Sequence, residues 1–196
     1  MVVLSIADVE IIIKDFIAKY SNELECKIYK DEEIVRREGE ISKKIYIVND
    51  GVFRIGKIDH QKTDMTIAFA WKNNVIAPVS SIVDNFPAIF ELKSIENKLS
   101  NTNSIYEINI EQWNYFAKKD PKLKELPKSF VYENIDILLN LYSLFRKNRN
   151  TEKVLKDLYN AKHPVLNSGI PSHYIADLFG IKNDTFNRIL NDIKYR

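Results

Sequence analysis

Ile170-Pro-Ser-His-Tyr-Ile-Ala-Asp-Leu-Phe-Gly180-Ile-Lys-Asn-Asp-Thr-Phe-Asn-Arg188-Ile-Leu190 reads as two short helices broken at one glycine. Ile175, Ala176 and Phe179 fall on one face of the first helix. Gly180 stands where the chain must turn with φ > 0, a conformation that costs glycine nothing. Ile181 plugs the corner, and Phe186, Ile189 and Leu190 form the inner face of the second helix. Asn183, Asp184, Asn187 and Arg188 are left pointing outward. A helix-turn-helix has this layout, and its second helix is the one that enters a DNA major groove. Helix–glycine–helix corners also occur as plain packing units in all-α domains. The weight therefore falls on the exposed Thr185-x-x-Arg188 and on the order of the remaining chain.

The chain has 196 residues, enough for one large domain or two small ones, and its apolar fraction of 45% suits a globular core rather than disorder. Net charge is only +2, but its distribution is uneven. From Arg146 to Arg196 there are ten Lys/Arg against five Asp/Glu, whereas residues 1–145 hold nineteen against twenty-two. Positive charge thus gathers on the segment that carries the helix-turn-helix, as phosphate binding requires. Cys26 is the single cysteine, which excludes an internal disulfide, an iron–sulfur cluster and a thiolate zinc site. It fits a reducing compartment and is expected to be a buried strand residue. Asp8 and Glu10 interrupt the apolar N-terminal stretch, which lacks a small-residue cleavage site and is not a signal peptide. No apolar run approaches membrane-spanning length, so a cytoplasmic protein without membrane contact is expected.

Upstream, Ser5 and Asp8 resemble a capping box, and Ile6, Val9, Ile12, Ile13, Phe16, Ile17 and Tyr20 recur at helical spacing. They predict a helix from about Ile6 to Lys19. From Glu25 to about Ser81 the pattern changes to strands. Ile28–Arg37 alternates, Ile45–Val48 and Val52–Ile58 flank an Asn49-Asp50-Gly51 turn that signals a hairpin, and Met65–Trp71 ends at Lys72-Asn-Asn74. Ser104–Ile110 is the last strand, and Ile110–Phe116 a short helix closed by Asp120-Pro121. Short strands separated by turn residues suggest an antiparallel roll or barrel, with Tyr46, Phe53, Phe69 and Trp71 in its core. The longest helix is expected from Ser129 to about Lys147, where Val131, Ile135, Leu138, Tyr142 and Phe145 make a coiled-coil seam beside a second stripe of Ile137, Leu141 and Leu144. Two apolar stripes want two surfaces: either two neighbours within one domain or, as expected here, the roll and a second copy of the chain. Lys147–Asn150 reads as a hinge, and Thr151–Lys162 as a helix with Val154, Leu155 and Leu158 inward.

The order is helix, β-roll, long dimer-type helix, hinge, helix-turn-helix. With two stretches in particular, it resembles the cyclic-AMP receptor protein / fumarate-nitrate regulator (Crp/Fnr) family of bacterial transcription factors. The first is Arg37-Glu-Gly39-Glu-Ile-Ser-Lys-Lys-Ile-Tyr46-Ile-Val-Asn-Asp-Gly51-Val-Phe-Arg54, similar to the family's roll signature. The second is Ile175-Ala-Asp-Leu-Phe-Gly180-Ile through Asp184-Thr-Phe-Asn-Arg188, similar to its helix-turn-helix. The Ile-Pro-x-His-x-Ile-Ala approach and the short roll resemble the cyclic-nucleotide-independent members of Bacteroidetes-type bacteria. The resemblance implies an α+β fold: a sensor-type jelly roll with its N-terminal helix over 1–127, a dimerisation helix over 128–147, and a winged-helix-like DNA-binding domain over 148–196. It implies a homodimeric transcription regulator, not an enzyme, that binds double-stranded DNA, with RNA polymerase and an unidentified small-molecule effector as candidate partners and no cofactor. Carried over by position, Arg188 would donate to guanine, Asp184 accept from cytosine N4, and Asn187 reach an adenine edge. Thr185, Lys182 and Lys194 would touch phosphate, and Val131, Ile135, Leu138, Tyr142 and Phe145 would form the dimer seam. Asn183 stands where other members have Arg or Pro, and it is expected to cap the helix in place of Lys182. The chain ends soon after the recognition helix, so the family's terminal wing is expected to be short or absent.

The largest departure lies in the ligand region. Cyclic-nucleotide-binding members carry a Gly-Glu pair and, about ten residues on, an Arg followed by Ser or Thr. Here Ile76-Ala77 stands near the pair, and no arginine occurs between Arg54 and Arg146. A buried cyclic phosphate would lack its charge-assisted partner, so cAMP is not expected to bind through the usual cassette. Lys93 could substitute but lacks the fork geometry, and Ser80 and Ser81 remain available to another ligand. Two other functions fit the residues less well. A cupin-type metal enzyme needs converging ligands, whereas His60 is alone in a polar turn and His163 and His173 lie in the C-terminal region. A small-molecule sensor with weak or lost DNA binding keeps the fold and moves the function.

Overall fold

The computed structural model describes residues 6–58, 63–100, 102–124, 126 and 151–195. Helix α1 spans Ile6–Tyr20, as its spacing predicts. Eight strands follow: β1 (Glu25–Tyr29), β2 (Ile34–Arg36), β3 (Lys44–Asp50), β4 (Val52–Ile58), β5 (Asp64–Trp71), β6 (Val75–Ile76), β7 (Glu91–Ile95) and β8 (Asn103–Asn109). Helix α2 (Val79–Asp84) lies between β6 and β7, and α3 (Ile110–Lys119) follows β8. Asn109 starts α3, its side chain accepting the Gln112 N–H at 2.7 Å. The C-terminal part is helical: α4 (Thr151–Asn160), α5 (Pro164–Asn167), α6 (Ser172–Leu178) and α7 (Asn183–Tyr195). The architecture is α+β.

The strands form two four-stranded antiparallel sheets, ordered β1-β8-β3-β6 and β2-β7-β4-β5. Strand β3 shows why both exist. Its Ile45-Tyr-Ile-Val48 run is buried throughout, because both of its faces are covered. Ile45 and Ile47 point out to α1 and α3, joining Ile13, Phe16, Trp113 and Phe116. Tyr46 and Val48 point in, meeting Phe53, Ala70, Leu92 and Ile105 between the sheets. The second sheet is likewise buried twice: Val52, Phe69 and Ile95 leave the roll interior and join Ile175, Phe179 and Phe186 of the C-terminal helices. Helices, sheet, roll core, sheet and helices therefore stack in five layers. Leaving side-chain-free gaps between them would forfeit about 2–5 kcal/mol per large residue, so each layer is fixed by the next.

Several expectations change. The Asn49-Asp50-Gly51 turn is not a hairpin, because β3 pairs with β8 and β6 while β4 pairs with β5 and β7. Gly51, at φ +84°, is instead the corner where the chain leaves one sheet for the other. Ile28–Arg37 is two strands, parted by a turn at Glu32 with φ +64°. β6, α2 and β7 escaped the periodicity because each is short or mixed in polarity. Cys26 is exposed rather than buried: β1 is an edge strand, and Ile28 on the same face is 75% exposed. Phe69 and Trp71 pack outward toward the C-terminal helices, not into the roll. Ser81 belongs to α2, is fully buried, and donates to Phe86 O at 2.5 Å. The expected seam of Val131, Ile135, Leu138, Tyr142 and Phe145, the boundaries at 127 and 147, the 147–150 hinge, Ser5 and His60 lie outside the described residues. No helix among the described residues is long and apolar enough to cross a membrane.

Candidate nucleic-acid interface

Helix α6 ends in a left-handed glycine closure. Gly180, at φ +63°, donates its N–H to Asp177 O at 2.9 Å, and Ile181 N–H reaches Ala176 O at 3.0 Å. Those two bonds satisfy the last carbonyls of α6 and swing the chain into α7. No atom lies within 4 Å of where a Cβ at Gly180 would stand, so glycine is needed for its dihedral and not for space. Lys182, not Asn183, is the residue before α7, and its carbonyl accepts the Phe186 N–H at 3.0 Å. Asn183 uses its side-chain oxygen on the Asn187 amide instead, at 3.4 Å.

Phe186 and Ile189 turn inward at 1% and 7% exposure, packing with Val154 and Leu155 of α4 and with Ile175 and Phe179. Away from these two residues α7 carries Asn183, Asp184 and Arg188, all exposed, with Thr185 and Asn187 half-buried; Lys182, just before the helix, is exposed as well. Asn183, Asp184, Asn187 and Arg188 thus lie away from the Phe186–Ile189 face in the first two turns, with Thr185 at its edge and Lys182 just before the helix. They offer a guanidinium, a carboxylate and two amides, which can pair with base edges, flanked by a lysine and a hydroxyl suited to phosphate.

What the sequence did not show is how this unit is held. Helix α6 lies against β5. Asp177 accepts the Thr66 backbone N–H at 2.5 Å, and its carboxylate lies 3.8 Å from Arg54 Nη2. Arg54 is 1% exposed. It donates from Nε to Thr66 Oγ1 at 2.8 Å and grips Asp64 with both terminal nitrogens, at 3.1 and 2.7 Å. Gly56 makes room for it, since a Cβ there would stand 2.6 Å from Arg54 Nη1. The Tyr174 ring covers the guanidinium at 5.6 Å, with Lys93 at the same distance, a cation–π arrangement. Tyr174 donates its hydroxyl to Glu32, which also pairs with Lys93 at 2.8 Å. Burial alone would raise the Glu32 carboxyl, yet Lys93 and Tyr174 hold it below its usual range; burial and Glu32 together push the Tyr174 hydroxyl up. Lys93 is therefore spent on this junction and does not stand in the ligand region. The signal for the junction was present in Val52-Phe-Arg54-Ile-Gly56: alternation sets Arg54 on the face of Val52, where a charge needs a partner from outside the roll.

The histidines are placed apart. His163 starts α5, its Nδ1 accepting the Val165 N–H at 3.2 Å, and meets Trp71 edge-on; burial holds its pKa down. His173 lies against Tyr174. Among the described residues no three His, Cys, Asp or Glu side chains gather as a metal site.

No protein-family model and no curated protein sequence matches the chain. Solved structures do. FixK2 from Bradyrhizobium japonicum is similar at TM-score 0.69 and 14% identity, over 87% of this chain and 84% of that one. The c-di-GMP-responsive global regulator CLP of Xanthomonas campestris is similar at TM-score 0.69 and 12% identity, over 92% and 91%. The catabolite activator protein of Thermus thermophilus is similar at TM-score 0.54 and 16% identity, over 93% and 82%. These are Crp/Fnr regulators, and this chain has their fold.

Proposed function

We propose that this chain is a sequence-specific DNA-binding transcription regulator of the Crp/Fnr type, working as a homodimer in the cytoplasm. The observation that carries the reading is the two-faced α7: Phe186 and Ile189 anchor it, while Asn183, Asp184 and Arg188 stand exposed in its first two turns. Arg188 donates to guanine O6/N7, Asp184 accepts from cytosine N4, and Asn187 addresses adenine. Lys182, Thr185 and Lys194 meet phosphates. The seam of Val131, Ile135, Leu138, Tyr142 and Phe145 pairs two chains, so the operator has two-fold symmetry with half-sites about one helical turn apart.

The first test is selection of bound duplexes from a random pool. A palindromic consensus is expected; a pool that stays random after several rounds would refute the reading. On the selected site, affinity should fall steeply between low and moderate salt, because phosphate neutralisation releases counterions. Arg188→Ala should then cost about 1–3 kcal/mol of binding and relax discrimination at one base position per half-site. Unchanged affinity and unchanged preference would show that α7 is not the reading helix.

A further inference from the structure

His163 joins three parts of the molecule. Its backbone closes α4: Lys162 turns at φ +50° and donates its N–H to Tyr159 O at 3.0 Å, while the His163 N–H reaches Leu158 O at 2.9 Å. Its side chain opens α5, Nδ1 accepting the Val165 N–H at 3.2 Å. Its ring meets the Trp71 indole of β5 at 88°, with the centroids 6.3 Å apart. Val165 is 4% exposed and belongs to the cluster that takes in Trp71, Ile170, Ile175 and Phe186 of α7. The half-buried imidazole thus pins the start of α5 to the roll.

That pin depends on charge. Pro164, in the first turn of α5, has no N–H, so Val165 brings the first donor of the helix. A buried donor needs an acceptor. Nδ1 can accept only while it carries no proton, which leaves the ring hydrogen on Nε2. A proton on Nδ1 sets one donor against another, and the ring must swing out toward water. A neighbouring carboxylate would offset this by stabilising the imidazolium. Among the described residues none does: burial alone shifts the ring, and holds its pKa below the usual range. Lys156 and Asp157 in the second half of α4, Lys162 beside the ring and Lys72 next to Trp71 add nothing to that shift. α5 carries no charge, and the other charges of α4 and β5 stand at the far ends of those elements.

We propose that His163 is a proton-operated latch between the roll and the C-terminal helices: neutral, it caps α5 and seats it against Trp71; protonated, it releases α5 and loosens the packing beneath α7. The consequence for DNA rests on the reading of α7 as the reading helix, whereas the latch itself does not. Because the fold favours the neutral ring, the stabilisation is fully present above about pH 6.5, the ordinary histidine value. It is lost as the pH falls through the lower value of the folded ring.

The test follows hydrogen exchange of the Val165 amide and the imidazole C–H resonances of the full chain from about pH 7.5 to about pH 5, the range over which imidazole changes charge. The His163 signal is identified by its contact with Trp71 and by its loss in His163→Asn. In the parent it should titrate below about pH 6.5. Val165 protection, corrected for the intrinsic pH dependence of exchange, should fall several-fold across the same midpoint. His163→Asn supplies a cap acceptor that does not titrate, and should keep Val165 protected throughout. His163→Ala, with no acceptor, should leave Val165 poorly protected at both ends. Level protection in the parent, an equal fall in His163→Asn, or a His163 midpoint at or above about 6.5 overturns the latch. Should His163→Asn fail to fold, the parent decides: coincident midpoints for the ring and for Val165 support the latch, and separate ones refute it. On a duplex selected at the upper pH, the parent should lose several-fold more affinity on acidification than His163→Asn. Equal losses overturn the link to α7, whereas a parent that selects no duplex at the upper pH counts against α7 as the reading helix and not against the latch.

Discussion

Gly51→Ala is expected to destabilise the protein by about 4 kcal/mol, a large share of the ~5–15 kcal/mol that holds a typical domain together. Two effects add. Gly51 has φ +84°, which a Cβ makes unfavourable by about 1–2 kcal/mol. The Cβ would also stand 2.1 Å from Asn103 Oδ1 and 2.7 Å from the Thr102 carbonyl. Asn103 cannot step aside cheaply. It is 3% exposed, accepts the Val52 N–H at 3.1 Å, and donates to Ile95 O at 3.1 Å and Asp31 Oδ1 at 2.9 Å. Overpacking and loss of those buried bonds supply the remaining ~2–3 kcal/mol. Gly39 provides the control: its φ is +86°, but nothing lies within 4 Å of its would-be Cβ. Gly39→Ala should therefore cost only about 1 kcal/mol. Urea denaturation checks both, and equal midpoints for the two variants would show that the corner at Gly51 is not crowded.

Arg54→Ala is expected to cost about 2–3 kcal/mol and, more tellingly, to loosen one part of the molecule first. Removing the guanidinium leaves Asp64 and Asp177 facing one another, strips Thr66 Oγ1 of its donor, and opens a void under Tyr174. Breaking a fully buried pair costs about 3–5 kcal/mol, but Asp64 is 57% exposed, and water repays part of the loss. Hydrogen exchange should show the Thr66 amide and the α6 amides losing protection, while β3 and β8 keep theirs. Arg54→Lys should not restore it, because an ammonium cannot bridge Asp64 with two nitrogens and reach Thr66 as well. A single unfolding transition at the parent midpoint, with unchanged exchange at Thr66, would rule out this role for Arg54.

How much of this was legible in the sequence depended on the range of the interactions. The helix-turn-helix was readable because each of its parts is local: a glycine closure, an apolar face and a polar face within about twenty residues. The fold class followed from the order of such segments. Strand pairing did not, since it joins distant positions. The Lys27–Glu107 bond spans eighty residues, and Thr66–Asp177 spans 111. At Asn49-Asp50-Gly51 the local signal was sound as chemistry, a left-handed turn between β-branched runs. Tertiary context decided which sheet the second run entered. Lys93 misled for a related reason: as a bare letter it was a spare cation in the ligand region, whereas the fold spends it on Glu32 and Tyr174. Arg36 was one charged letter in the alternating Ile28–Arg37 run, yet it is buried in the fold, because nothing in a sequence says which charges lose their water.

The shared cluster of Val52, Phe69 and Ile95 with Ile175, Phe179 and Phe186 means that the C-terminal helical unit is not a portable cassette. Excised at residue 151, it would carry away half of a hydrophobic seam and leave the other half wet on the roll. Swapping it for another helical unit calls for transplanting its footprint on β4 and β5 as well.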